Sequence, residues 1–311
     1  MNLEIDLGLD SLARAETFAT LEYAFSTEFN AHEAATALTV ADVINLVKSH
    51  GGSDSSEIAM DFDWGKIVEN ADASTVPEIQ PILKKRPLFG TFAWVVYRCF
   101  NFACRILFRL EVNGLENLRS MRANGREAFL VCPNHQSFLD PFVVCSNYSL
   151  DYFLDTFHVG ASEFWEGGFM SWVSRMLQVV PVNPDTELMR AMRAGAAGLK
   201  NEKILHIYPE GERGFDGELH EFKNGAAILA AELDLPIIPV ALDGLYKVWP
   251  RRSWRIRLAK VKVRFGEPIY ARDILAMSNR EADQTQADQY SAITEHLKQT
   301  IGQMIEGMRS S

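Results

Sequence analysis

Three short apolar runs, each broken or closed by proline, constrain this chain more than any other feature of its sequence. Residues 128–132 run into Pro133, residues 204–208 run into Pro209, and residues 235–242 carry Pro236 and Pro239. Continuous apolar runs of this length bounded by turns read as strands buried on both faces. After the second run comes a helical pattern, Phe222-Lys223-Asn224-Gly225-Ala226-Ala227-Ile228-Leu229. Strand, turn and helix in that order predict an α/β fold, with a mostly buried sheet flanked by helices. Its strands are expected near 128–132, 154–159, 178–182, 204–208, 237–242 and 261–265, and 290–307 reads as a closing amphipathic helix. A site is expected where the strand ends at 132 and 208 open side by side, because ligands sit at strand carboxyl ends.

Both turns carry chemistry. The first is Asn134-His135-Gln136-Ser137-Phe138-Leu139-Asp140, with a histidine and an aspartate five positions apart. A carboxylate folded back on an imidazole holds its tautomer and stabilises the imidazolium formed when it takes a proton. Taken alone, the spacing is weak and reads first as a histidine capping a helix. The second turn is Tyr208-Pro209-Glu210-Gly211-Glu212-Arg213, whose Arg213 offers a permanently charged fork suited to phosphate.

In order and residues, over roughly 86–270, these blocks resemble the glycerolipid acyltransferase family. Its first block is Asn-His-x4-Asp, its third is Phe/Tyr-Pro-Glu-Gly-Thr/Ser-Arg, and its fourth is a proline-rich strand. The resemblance implies transfer of an acyl group from a coenzyme A or carrier thioester to a hydroxyl, lysophosphatidate being the type acceptor. His135 would be the general base, oriented by Asp140. Asn134 would shape the turn, while Glu210, Gly211 and Arg213 would bind the acceptor. Because a thiolate leaves readily, no covalent acyl-enzyme is required. Oxyanion donors are expected among backbone N–H groups near Gly211 or the turn at 134–137. Two departures bear on the acceptor. Glu212 stands where the family has Thr or Ser, and the stretch that corresponds to the family's second block (177–184) has no arginine, although Arg175 and Arg190 flank it. A different lysolipid or hydroxylated acceptor, a thioester hydrolase, and a non-catalytic lipid- or carrier-binding module are the alternative readings.

Charge divides the chain. Residues 1–78 hold 15 acids against three bases, and the remainder holds 26 acids against 28 bases, so the net −10 belongs to the head. Three segments are expected: a small helical head (1–50), an acidic linker (51–78) and an acyltransferase domain (79–311). In the head, Leu7-Gly8-Leu9-Asp10-Ser11-Leu12 precedes an amphipathic pattern, and Thr39 reads as the cap of a second helix from Val40. The head resembles the latter part of an acyl carrier domain, which has Leu-Gly-x-Asp-Ser-Leu at its prosthetic-group site. That resemblance implies 4′-phosphopantetheine on Ser11 and is partial, since carrier domains have a further helix ahead of the motif.

Between residues 79 and 110 there are six bases and no acid. Residues 88–110 are too often interrupted by arginine for an ordinary transmembrane helix. On a helical wheel Arg105 and Arg109 each lie about 20° from Arg98, giving one basic ridge beside a wide aromatic face. Such a helix suits the boundary between headgroups and acyl chains, on the inner face of a membrane. A second basic stretch, 247–264, has eight bases interleaved with Trp249 and Trp254 and suits an acidic carrier or anionic lipid. No nucleic-acid fold signature accompanies it, so nucleic acid is not expected as a partner. The acidic N-terminus has no basic head before an apolar stretch, so a cytoplasmic protein is expected. Cys99, Cys104, Cys132 and Cys145 lie within or beside apolar runs, without metal-ligand spacing, so buried thiols are expected and no metal.

Overall fold

The computed structural model describes residues 31–50, 63–160 (except 75 and 85), 168–182, 188–278 (except 252 and 254) and 285–310, with isolated positions before residue 31. Ser11 and its motif, the linker 51–56, and Asn183 and Pro184 lie outside the described residues.

In the head, α1 (Ala31–Thr36) and α2 (Val40–Ser49) are joined at Thr39. Its side chain accepts from the Asp42 N–H while Asp42 accepts from the Thr39 N–H, which closes the capping box that the sequence signals. Next come α3 (Trp64–Glu69), a 3₁₀ turn (Pro77–Ile79), α4 (Gln80–Leu83), α5 (Pro87–Leu107) and β1 (Glu111–Asn113). The central part runs α6 (Leu115–Ala123), β2 (Phe129–Pro133), α7 (Asp140–Cys145), α8 (Leu150–Asp155), β3 (Thr156–Gly160), α9 (Gly168–Met176) and β4 (Val179–Pro181). It continues with α10 (Leu188–Lys200), β5 (Ile204–His206), α11 (Gly225–Glu232), β6 (Ile237–Asp243), α12 (Leu245–Val248) and β7 (Lys262–Phe265). The last two helices are α13 (Ala271–Ser278) and α14 (Gln286–Arg309).

Among the described residues, seven strands form one mixed sheet in the order β1-β7-β6-β2-β5-β3-β4, parallel throughout except for the β6–β7 pair. Six strands lie where the apolar runs place them. β1 is the addition: its three residues alternate too briefly to register as a run and pair with β7 at the edge. Successive residues of β2 point to opposite faces. Leu130 and Cys132 enter a core beneath α10, α11 and α14, and Phe129 and Val131 enter a second core beneath α5, α7 and α8. α10 lies close on β3 because Gly198 has no side chain; a Cβ there would stand 2.2 Å from Phe157 Cζ.

Three expectations change. The acidic segment 51–78 is not a linker over its second half, because Trp64, Ile67, Val68, Ala71 and Val76 are buried in the first core. Its charges conceal an apolar face one helical turn apart, which net charge does not register. The helix expected over 88–110 ends at Leu107, and Arg109 follows with a positive φ of 46°. The basic ridge of α5 is therefore Arg98 and Arg105 without Arg109. Cys99 also differs from expectation, being exposed on this helix while the other three thiols are buried.

Candidate active site

β2 and β5 are hydrogen-bonded neighbours, with Val131 opposite His206, so their carboxyl ends release the two motif turns side by side. The first turn is fixed from several directions. Asn134 is buried and exchanges two hydrogen bonds with Leu242 of β6, donating to its carbonyl (3.1 Å) and accepting from its N–H (2.7 Å). Gln136 donates to the Gly217 carbonyl and accepts from Leu245 N–H, and Ser137 Oγ donates to the Trp249 carbonyl.

His135 Nδ1 lies 2.7 Å from Asp140 Oδ2. That oxygen also accepts from the N–H groups of Gln136 (2.6 Å) and Ser137 (2.8 Å), and the carboxylate is fully buried. With the carboxylate accepting at Nδ1, the neutral ring carries its proton there and presents an unprotonated Nε2. The Tyr208 ring stacks on His135 with centroids 3.9 Å apart, restricting rotation of the imidazole. Tyr208 gains this role from the Phe/Tyr position of its block, a signal the sequence contained and spacing alone did not value.

Glu210 was expected at the acceptor. Its two oxygens instead accept from backbone N–H groups, Oε1 from His135 (2.6 Å) and Oε2 from His220 (3.2 Å). It braces the first turn against the second. Gly211 turns with φ +78°, and a Cβ would stand 2.7 Å from Lys223 Cε. Among the expected backbone oxyanion donors, Gly211 N–H is bonded to the Tyr208 carbonyl, Asn134 N–H to Val240, and those of His135, Gln136 and Ser137 to Glu210 and Asp140.

His135 opens into a cavity of about 450 Å³. Apolar side chains (Leu177, Val179, Ala191, Met192, Leu229) line it, together with Arg213, Lys223, Arg251 and Glu212. Arg213 lies over the Phe138 ring at 5.8 Å; burial, and next the charge of Arg251, lower its pKa, with Asp140 acting in the opposite sense. Arg251 donates to Glu212 Oε2 (3.0 Å) and to the Arg213 carbonyl (3.1 Å). Arg190 pairs instead with Glu78, and neither it nor Arg175 lines the cavity. Arg251 is the site residue that sequence reasoning missed. Its signal was the basic, tryptophan-bearing stretch 247–264, part of which turns inward: the Trp249 ring meets Phe138 edge-on at 6.1 Å.

An imidazole held by a buried carboxylate, beside a cavity lined by apolar and cationic side chains, is an arrangement that can accept a proton from a bound hydroxyl. Residues 109–243 match the family model described as Acyltransferase. The chain is 30% identical over 170 residues to a chloroplastic 1-acyl-sn-glycerol-3-phosphate acyltransferase of Brassica napus, covering 52% of this chain and 46% of that protein. It is 27% identical over 202 residues to the 1-acyl-sn-glycerol-3-phosphate acyltransferase of Pseudomonas aeruginosa, covering 62% and 72%. The fold is similar to the crystal structure of the 1-acyl-sn-glycerophosphate acyltransferase PlsC from Thermotoga maritima, with a TM-score of 0.53 and 20% identity over 78% of this chain and 94% of that one. Over residues 109–243 the chain is thus similar to the acyltransferase family, and its fold is that of a glycerolipid acyltransferase. It spans about half the length of the plant relatives it matches.

Burial raises the Glu210 carboxyl above its ordinary 4.5, partly offset by the N–H groups of His135 and His220. A raised acid favours the protonated form in the folded state, so its contribution is full below the unfolded value and is lost as pH rises through the folded one. Glu210→Gln has no proton to lose. Wild type should therefore lose stability relative to this variant as pH rises from about 4.5 towards 7, read as urea midpoints. A difference independent of pH would contradict the buried-brace reading.

Proposed function

We propose that this protein transfers a fatty acyl group from a coenzyme A or carrier thioester to the free hydroxyl of lysophosphatidate or a related glycerophosphate. The observation that carries this reading is His135, held by Asp140, opening into an apolar cavity rimmed by Arg213, Lys223 and Arg251. The acceptor hydroxyl gives its proton to His135 Nε2 as its oxygen attacks the thioester carbonyl. The C–O bond forms, the C–S bond breaks, and the departing thiolate takes the proton back from the imidazolium. Asp140 fixes the tautomer and balances the imidazolium charge. The acyl chain occupies the apolar wall, and the arginines hold the phosphate, whose charge is about −1.5 to −2 near neutrality. Arg251 stands in for the arginine missing from the second block.

The Glu212–Arg251 pair favours one alternative acceptor. A carboxylate on the rim can also meet an ammonium group, which suits a zwitterionic lysolipid.

The donor can be a carrier thioester, and the Leu-Gly-Leu-Asp-Ser-Leu motif supports Ser11 as the attachment point of 4′-phosphopantetheine, which the intact mass of the chain would register. Membrane attachment is supported by α5. Its buried stripe is Ala93, Tyr97, Asn101 and Cys104, and Asn101 donates to Ser146 Oγ and Asn147 Oδ1. The opposite stripe (Leu88, Phe92, Val95, Phe102, Ile106) is exposed, and Ile256 and Leu258 are exposed on the segment that follows Trp249. That segment's end meets α5, with Val261 N–H bonded to the Phe108 carbonyl. No described helix is long and apolar enough to cross a membrane. An amphipathic helix presenting aromatic residues beside arginines suits peripheral attachment to the inner face.

The deciding assay is thiol release from long-chain acyl-coenzyme A, with and without lysophosphatidate. Wild type should show acceptor-dependent release, and His135→Ala should lose it by at least about 10²-fold. Arg251→Gln should raise KM for lysophosphatidate by about tenfold, the scale of one charge-assisted hydrogen bond, and leave KM for the donor unchanged. Release indifferent to the acceptor would mean a hydrolase, and a preference for lysophosphatidylethanolamine would favour the zwitterionic acceptor.

Phe92 and Phe102 are 53% and 67% exposed, so changing both to Glu should spare the fold. Burying one phenylalanine contributes about 1.5–3 kcal/mol, so the double variant should bind phosphatidylglycerol-containing vesicles at least about tenfold more weakly. Unchanged co-sedimentation would remove α5 from the membrane contact.

A further inference from the structure

Cys145, His158 and His206 stand together beneath the catalytic turn, and acyl transfer gives them no task. They come from three elements: the last residue of α7, and neighbouring positions on β3 and β5 paired across the sheet. All three are buried, and their ligand atoms lie within 4.8 Å of one another. Cys145 Sγ is 3.5 Å from His206 Nδ1 and 3.9 Å from His158 Nε2. A tetrahedral zinc-type ion has metal–sulfur and metal–nitrogen bonds of about 2.3 and 2.0–2.1 Å, which require sulfur–nitrogen edges of roughly 3.6 Å.

The partners of the rings also suit a ligand. His158 Nδ1 is 2.7 Å from the Leu177 carbonyl. The proton on that nitrogen leaves Nε2 with its lone pair toward Cys145, the arrangement in which a carbonyl fixes a metal-ligating histidine. His206 Nε2 has no hydrogen-bond partner among the described residues, so nothing bonded to it dictates the tautomer at Nδ1. His158 and His206 both line the cavity, which gives an ion a way in and water a fourth position.

We propose that Cys145, His158 and His206 form a binding site for one thiophilic divalent cation of the zinc class. Binding exchanges the thiol proton for the ion, and the proton leaves to solvent. With no ion the trio stays neutral, since burial raises the Cys145 thiol and lowers His158 to about 4. The ion would tie the end of α7, whose first residue is Asp140, to β3 and β5. The sequence offers no warning of this site, because positions 145, 158 and 206 make no ligand-spacing motif.

The test is cobalt titration of the full chain after chelator treatment, followed by optical absorption. The expected result is one cobalt per chain, with a thiolate-to-cobalt charge-transfer band and intense tetrahedral visible bands, displaced by zinc. Cys145→Ser should remove the charge-transfer band, and His158→Gln or His206→Gln should weaken binding at least tenfold. No binding, binding without the thiolate band, or a band surviving in Cys145→Ser would overturn the proposal. Should the serine variant fail to fold, X-ray absorption of the zinc-loaded wild type decides. One sulfur at about 2.3 Å with nitrogen neighbours supports the site, and a shell of nitrogen and oxygen alone overturns it.

Discussion

One oxygen, Asp140 Oδ2, gathers His135 Nδ1 and the N–H groups of Gln136 and Ser137 at the first turn of α7. Removing a carboxylate from water costs several kcal/mol, roughly, unless its lone pairs are met, so this burial commits the surrounding backbone to supply donors. The chain between β2 and α7 has to curl around the carboxylate, and the same curl sets the imidazole at the mouth of the cavity. Glu210 performs a parallel task from the second turn, meeting the His135 N–H from the other side. Two buried carboxylates therefore fix one histidine, Asp140 at its ring and Glu210 at its backbone N–H, and the geometry of the site depends on both.

The rim obeys a different constraint, that of like charges held close. Arg213 and Arg251 share the cavity, and after burial the charge of Arg251 disfavours that of Arg213. Glu212 lies where a carboxylate relieves this repulsion in the absence of an anion, through its 3.0 Å contact with Arg251. At the position where the family has Thr or Ser, the glutamate is best understood with Arg251, a residue some forty positions away in the chain.

Much of this was legible in the sequence for physical reasons. Strands buried on both faces leave uninterrupted apolar runs, and six of the seven appear where those runs lie. His135 and Asp140 were legible because their contact is local, closing within one turn of chain. Contacts distant in sequence were not. Arg251 reaches the cavity from a stretch whose charge reads as a solvated or docking surface. Cys145, His158 and His206 converge only because β3 and β5 are neighbours in the sheet. The burial of Trp64 and Ile67 was hidden by the acidic residues that share their helix and its flanks. Glu210 was placed in the right turn and given the wrong neighbours, since a motif does not say whether a carboxylate faces substrate or backbone.

The central claim is that buried Asp140 holds His135 with its proton on Nδ1 and a lone pair on Nε2. Nitrogen-15 spectroscopy of the histidine side chains measures this directly, with His135 assigned by its absence from His135→Ala. The expected result is an Nδ1–H tautomer at neutral pH in wild type, lost or mixed with the other tautomer in Asp140→Asn. An Nε2–H tautomer in wild type, or a tautomer indifferent to Asp140, would contradict the account.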